Sequence, residues 1–224
     1  MADDLKTLAR NGVLRVAINT DNRALVRVEN DVLRGISPAL ARRLALEIGA
    51  KFEPVIYDGA GKVFADAKAD LWDVAFLAVD ALRAQKISYT TPYISIDATF
   101  AVRVPSVFQK AADVDQKGVN VLTSVGSAYD MYLTDHLERA TLSRFGTPTE
   151  SFDAFRSGRA DAVAGVRASL ETFFASEDGI GILPDAFTSV RQAMVLPGVA
   201  HPAIGALDAF VERAVAEGFV AANL

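Results

Sequence analysis

The chain has 224 residues, 51% of them hydrophobic, with 23 basic against 28 acidic side chains and a formal net charge of −5. That length can bury one large core or two modest ones, and the composition lies far from the disordered range. With no basic block, no apolar run near the roughly 18 residues of a membrane helix and no cysteine, the sequence argues against nucleic-acid binding, membrane embedding, disulfides and thiolate chemistry.

In chain order, a short helix over 5–10 ends at Asn11-Gly12, and 13–18 reads as a first buried strand. It runs into Asn19-Thr-Asp-Asn22. These four polar residues suit a turn that satisfies its own backbone, and equally a lip for a ligand. Ser37 can cap a helix with Pro38 in its first turn, closed by Gly49, with Leu40, Leu44 and Ile48 on its inner face. A second strand over 52–57 and a helix over 63–69 follow. The glycines of Asp58-Gly-Ala-Gly61-Lys62 lack phosphate-loop spacing. A continuous apolar run over 74–79 then predicts a strand buried on both faces. It ends at Asp80, with Arg83 three residues on. A guanidinium just past such a strand suits a ligand carboxylate, which it can hold by two parallel hydrogen bonds. The same spacing also fits an exposed Asp80–Arg83 pair.

After a strand over 97–104 the pattern begins again. A strand over 118–123 leads to Gly126-Ser127-Ala-Tyr129-Asp130, where Ser127 and Asp130 form a capping box. A helix start just after a strand can hold an anion, and is otherwise simply a capped helix. A helix over 149–157, a buried strand over 161–166 with Arg167 at its end, strands over 180–183 and 190–196, and an amphipathic C-terminal helix complete the chain. The expected fold class is α/β: two lobes, each a mainly parallel sheet flanked by helices, with residues 1–104 and 190–224 in lobe 1 and 105–189 in lobe 2.

Catalytic and metal signatures are absent. His136, on a polar helix face, and His201, in a Pro-rich loop, belong to no metal-ligand spacing. No nucleophile elbow, dinucleotide fingerprint or phosphate loop occurs. Trp72 and Tyr93 could stack on a ligand, though core packing is the default for lone aromatics. A binding protein, not an enzyme, with neither cofactor nor metal, is the simplest reading.

Several stretches carry a family likeness when taken in order: Gly12-Val-Leu-Arg-Val-Ala, Gly35-Ile-Ser-Pro-Ala-Leu-Ala-Arg-Arg-Leu-Ala, Trp72-Asp-Val-Ala-Phe with Asp80-Ala-Leu-Arg83, Ser88-Tyr-Thr-Thr-Pro-Tyr93, Gly126-Ser127 and Ser157-Gly-Arg-Ala-Asp161-Ala. Over almost its whole length the chain resembles the family 3 extracellular solute-binding proteins of ABC transporters, the periplasmic amino-acid-binding type. The resemblance implies a periplasmic-binding-protein type II fold with two hinge strands, closing on a small solute in the interlobe cleft. It also implies a monomer that delivers its ligand to a membrane permease, and a periplasmic location; Met1-Ala-Asp-Asp has no basic n-region, so the sequence itself fits either a protein that stays inside the cell or one whose leader has been removed. In the family the arginine at the place of Arg83 grips the ligand's α-carboxylate, and the helix start at Ser127 and Ala128 adds contacts, here with Tyr129 nearby.

The departures concern the ligand's ammonium group. The family's acidic residue after the second-lobe strand falls near Gly165, its Ser/Thr run before the arginine is Phe76-Leu-Ala78-Val, and Asn22 replaces the usual aromatic. An amine without an anionic partner is costly to desolvate. The expected ligand is therefore a small carboxylate or polar solute rather than a standard L-amino acid. Asn19, Asn22 and Gln192 are the expected polar contacts, and Arg167 is a candidate second cation. The alternatives are a lyase of the cyclohexadienyl dehydratase type, which would need an acid with a raised pKa, and a sensor or accessory protein. On this reading Arg83→Ala abolishes ligand binding while costing less than about 1 kcal/mol of stability, as for a surface change.

Overall fold

The computed structural model describes residues 2–224. In order, the chain forms α1 (Ala2–Lys6), β1 (Val13–Asn19), the hairpin β2 (Arg27–Glu29) and β3 (Val32–Arg34), α2 (Ile36–Ile48), β4 (Lys51–Tyr57), α3 (Ala60–Ala65), β5 (Ala75–Ala78), β6 (Ile87–Tyr89) and β7 (Ile94–Arg103). It continues through β8 (Asn120–Ser124), α4 (Ala128–His136), β9 (Thr141–Phe145), α5 (Pro148–Arg156), β10 (Ala162–Val166), α6 (Arg167–Phe173), β11 (Ile180–Ile182), β12 (Thr188–Pro197) and α7 (Ile204–Ala216). Two compact units result. Unit 1 holds the residues up to Thr20, Leu25–Ser95 and Arg191–Leu224, and unit 2 holds Asp21–Ala24 and Ile96–Val190. Both crossings later in the chain lie inside long strands, β7 and β12.

In unit 1, β1 and β4 pair in parallel from Val13↔Lys51 to Asn19↔Tyr57, and a parallel bridge joins Val16 to Val74. β5 then pairs antiparallel with β12, Ala78 opposite Gln192. All four residues of β5 are buried, as its apolar run requires, whereas edge strand β4 is largely exposed and tolerates Pro54. Under α3, Trp72 packs with Tyr57, Val63, Leu77 and Val195, and its indole N–H donates to the Val63 carbonyl at 3.2 Å. Helices α2 and α7 bury Leu40, Leu44 and Ile48, and Leu207, Phe210 and Val211.

Unit 2 repeats the plan. β10 lies between β8 (parallel) and β7 (antiparallel), and β9 runs parallel to β8 on its far side. Phe152, Phe155, Leu170 and Phe174 from α5, α6 and the turn after it cover Ala101, Leu122 and Val163.

Two local expectations are corrected. Helix α2 is capped not by Ser37 but by Gly35, and Ser37 lies buried in the first turn, its N–H donating to the Leu25 carbonyl at 3.2 Å. Glycine is required there: φ is +100°, and a Cβ would stand 2.5 Å from the Leu25 oxygen. The helix placed over 63–69 begins earlier, at Ala60, because the extended Gly59 frees the next residues to turn, and a 3₁₀ turn (Asp66–Lys68) follows it.

Candidate functional site

The residues singled out from the sequence fall into two groups, one in each unit. In unit 1 they gather at the C-terminal end of β5. Asp80 accepts the Arg83 backbone N–H at 2.8 Å and so sets the 3₁₀ turn that aims the Arg83 side chain. The expectation of an exposed Asp80–Arg83 pair is thereby corrected. Arg83 is 2% exposed, and the Asp80 bond is to its backbone. Its guanidinium lies 5.7 Å from the Phe64 ring centroid, and Nη1 is 3.5 Å from the Ala78 carbonyl, which also accepts the Tyr89 hydroxyl at 2.9 Å. Burial lowers the Arg83 pKa, against the opposing pull of Tyr89 and Asp80. Burial likewise raises the Tyr89 hydroxyl to about 12, with Arg83 drawing it back.

Around Arg83, Ala78 faces Gln192 across the ladder and Phe76 faces Met194. Phe76 meets Tyr93 edge-on at 6.1 Å, and the Tyr93 hydroxyl is buried without a hydrogen-bond partner. Asn19 ends β1 opposite Tyr57.

In unit 2, the Ser127 hydroxyl accepts the Asp130 N–H at 3.1 Å, as a capping box predicts. The reciprocal arm differs: Asp130 reaches one residue further back, to the Gly126 N–H at 2.9 Å, and takes the Arg144 Nε at 2.8 Å. Ala128 and Tyr129 open α4, where a helix leaves its first N–H groups without intrahelical acceptors. The Tyr129 hydroxyl is buried without a hydrogen-bond partner. Burial raises its pKa, the nearby Ser127 and Ser124 oppose this, and Asp130 and Asp21 add to it.

Asp21 belongs to the polar run that the sequence leaves open as a turn or a ligand lip, and it was not singled out there as a contact. Its carboxylate accepts the Thr149 N–H in the first turn of α5 at 3.3 Å, and its carbonyl accepts the Ser169 hydroxyl at 3.4 Å. Asn22 Oδ1, beside it, is buried without a hydrogen-bond partner. An acid two residues past a buried strand was the available signal.

Gly165 and Arg167 are placed less favourably for a ligand. A Cβ on Gly165 would stand 2.8 Å from Phe152 and 3.0 Å from Leu170, so that face of β10 is core. Its opposite face belongs to Ala164 and Val166, neither of them acidic. Gly165→Ala should lower stability by about 1–2 kcal/mol, since the flexible ends of Phe152 and Leu170 must shift, and urea unfolding would measure it. The Arg167 nitrogens are taken by the carbonyls of Leu183 at 3.0 Å and Pro184 at 3.1 Å. Among the described residues no cluster of metal-ligating side chains occurs, and no helix is long and apolar enough to cross a membrane.

No family model and no curated protein matches this sequence. Solved structures do. The substrate-binding protein AbpA of an amino-acid ABC transporter from Streptococcus pneumoniae, bound to L-arginine, is 20% identical with a TM-score of 0.82, over 99% of this chain and 95% of that one. Holo ArgBP from T. maritima is 20% identical with a TM-score of 0.79, over 96% and 92%. The ancestral amino-acid-binding protein AncCDT-1, a precursor of cyclohexadienyl dehydratase, is 18% identical with a TM-score of 0.77, over 96% and 95%. The chain therefore has the periplasmic-binding-protein type II fold, a mixed α/β architecture. Structurally it is similar to the substrate-binding proteins of amino-acid ABC transporters.

Proposed function

We propose that this protein is the solute-binding component of an ABC importer, acting outside the cytoplasm, and that it takes a small organic carboxylate through Arg83. The observation that carries this reading is the placement of Arg83. A cation almost wholly removed from water stands at the C-terminal end of a buried strand, over the Phe64 ring. Open α/β sheets place ligands at such strand ends, and a buried cation is stabilised by an anion arriving there. Unit 2, taken by itself, carries polar groups of its own at Ser127, Tyr129 and Asn22, two of them with buried atoms that lack hydrogen-bond partners. One of the similar structures named above, AbpA, is bound to L-arginine, which supports solute binding in general.

The ligand we favour lacks an α-ammonium. The end of β5 offers Phe76 and Ala78, and the end of β10 offers Ala164 and Val166, so neither strand presents a carboxylate. A second reading rests on Asp21, whose carboxylate lies near Tyr129 and would receive an amine. Asp21→Asn separates the two readings. It should leave affinity for a simple carboxylate within about threefold, whereas an amine ligand would lose a charge-assisted bond and roughly tenfold or more in affinity. Native mass spectrometry of the gently purified protein should find a bound organic acid of low mass. Recovery of a standard amino acid would favour the second reading, and turnover of prephenate or arogenate would make the protein an enzyme.

A further inference from the structure

We infer that unit 2 carries a second binding site, separate from the residues above, for a flat organic cation of amidinium or guanidinium type. Tyr132 and His136 lie one turn apart on α4, and their rings stack at 3.9 Å with 7° between planes. His136, expected on a merely polar face, is thus half of an aromatic plate, its Nδ1 held 2.7 Å from the Tyr132 carbonyl. Phe187 extends the plate, 5.8 Å from Tyr132 and tilted by 31°, and is itself backed by Phe100 at 4.5 Å. These rings line a groove of about 470 Å³, the size of a small-ligand pocket.

The charge in this groove is negative by one. Asp115 and Asp185 line it against the single cation Arg139. Asp115 is fixed by accepting the N–H groups of Glu138, Arg139 and Ala140. Burial works to raise its pKa, but these bonds outweigh that and keep it ionised. Asp185 is exposed and uses one oxygen to accept the Ala111 N–H at 2.8 Å. Aromatic faces beside a carboxylate attract a planar cation twice over, by the ring quadrupole and by a charge-assisted hydrogen bond. An anion would meet like charge. None of the groove's residues belongs to the groups around Arg83 or Ser127, so occupancy here does not depend on a carboxylate ligand there.

The test is titration calorimetry on the full chain with three isosteres: benzamidinium, neutral benzamide and anionic benzoate. Benzamidinium should bind about tenfold more tightly than benzamide, and benzoate should not bind, the ratio expected when one charge-assisted contact distinguishes them. Asp185→Asn keeps an oxygen for the Ala111 N–H and should weaken benzamidinium about tenfold while leaving benzamide unchanged. Phe187→Leu should weaken both. Arg83→Met should change neither. The inference is overturned if benzamidinium shows no saturable binding, if benzoate or benzamide matches it, if Asp185→Asn has no effect, or if Arg83→Met removes the binding.

Discussion

Arg83→Met is expected to fold with a stability within about 1 kcal/mol of the parent, or above it, and yet to bind the native carboxylate roughly a hundredfold more weakly or not at all. Methionine keeps most of the length and volume of the buried side chain and removes the charge. Replacing a buried ionic group by an apolar one of similar size is often neutral or stabilising, whereas losing the charge partner of a bound carboxylate costs several kcal/mol of binding. Arg83→Ala should behave differently. A side chain that is 2% exposed and packed over Phe64 leaves a cavity when truncated, for a loss of about 2–3 kcal/mol. The surface-type cost expected from the sequence is therefore revised upward. Urea unfolding of both variants beside calorimetric titration separates the electrostatic role from the packing role. If Arg83→Met binds normally, Arg83 is structural.

Asp73→Ala is expected to destabilise unit 1 by about 2–3 kcal/mol, the cost of removing a buried charged acceptor and leaving a backbone donor unpaired, with arginine partners that are themselves partly exposed. The Asp73 carboxylate is 3% exposed and accepts the Arg15 backbone N–H at 2.9 Å, the Arg15 Nε at 3.1 Å and its Nη2 at 2.7 Å, with the Arg10 Nε at 3.3 Å. Its loss leaves the Arg15 backbone donor without its acceptor and strips two guanidinium groups of their buried partner where β1 meets the start of β5. Asp70 also reaches both arginines, but it is exposed and compensates little. Asp73→Asn should cost less, about 1–2 kcal/mol, because it keeps one acceptor oxygen. A shift in urea midpoint at constant slope would report the change.

How much of this was legible in the sequence depends on burial. β5, β8 and β10 are buried almost throughout and announce themselves as apolar runs. The exposed hairpin β2–β3 does not, because every residue of Arg27–Glu29 faces water and only the left-handed Asn30 and Asp31 mark its turn. β9 was missed for a similar reason: as an edge strand it has no fully buried residue. The last crossing, expected at 189/190, divides at 190/191 inside β12, whereas the one expected at 104/105 divides at 95/96, because no composition change marks it inside the continuous strand β7. At the candidate site, Arg83 was singled out by its place after a strand, but its burial depends on Phe64 and Tyr89, brought beside it only by the fold. Asp21 and the Tyr132–His136 stack were hidden by the same locality: a polar turn and a polar helix face look alike until their neighbours are known.

The most direct test pairs each of several L-amino acids with the same acid lacking the amino group, titrated calorimetrically against the unmodified protein. Arg83 as carboxylate holder, without an amine partner beside it, predicts measurable binding for at least one deaminated acid and none for its amino counterpart. Tight binding of the amino acids, with the deaminated acids silent, would contradict it.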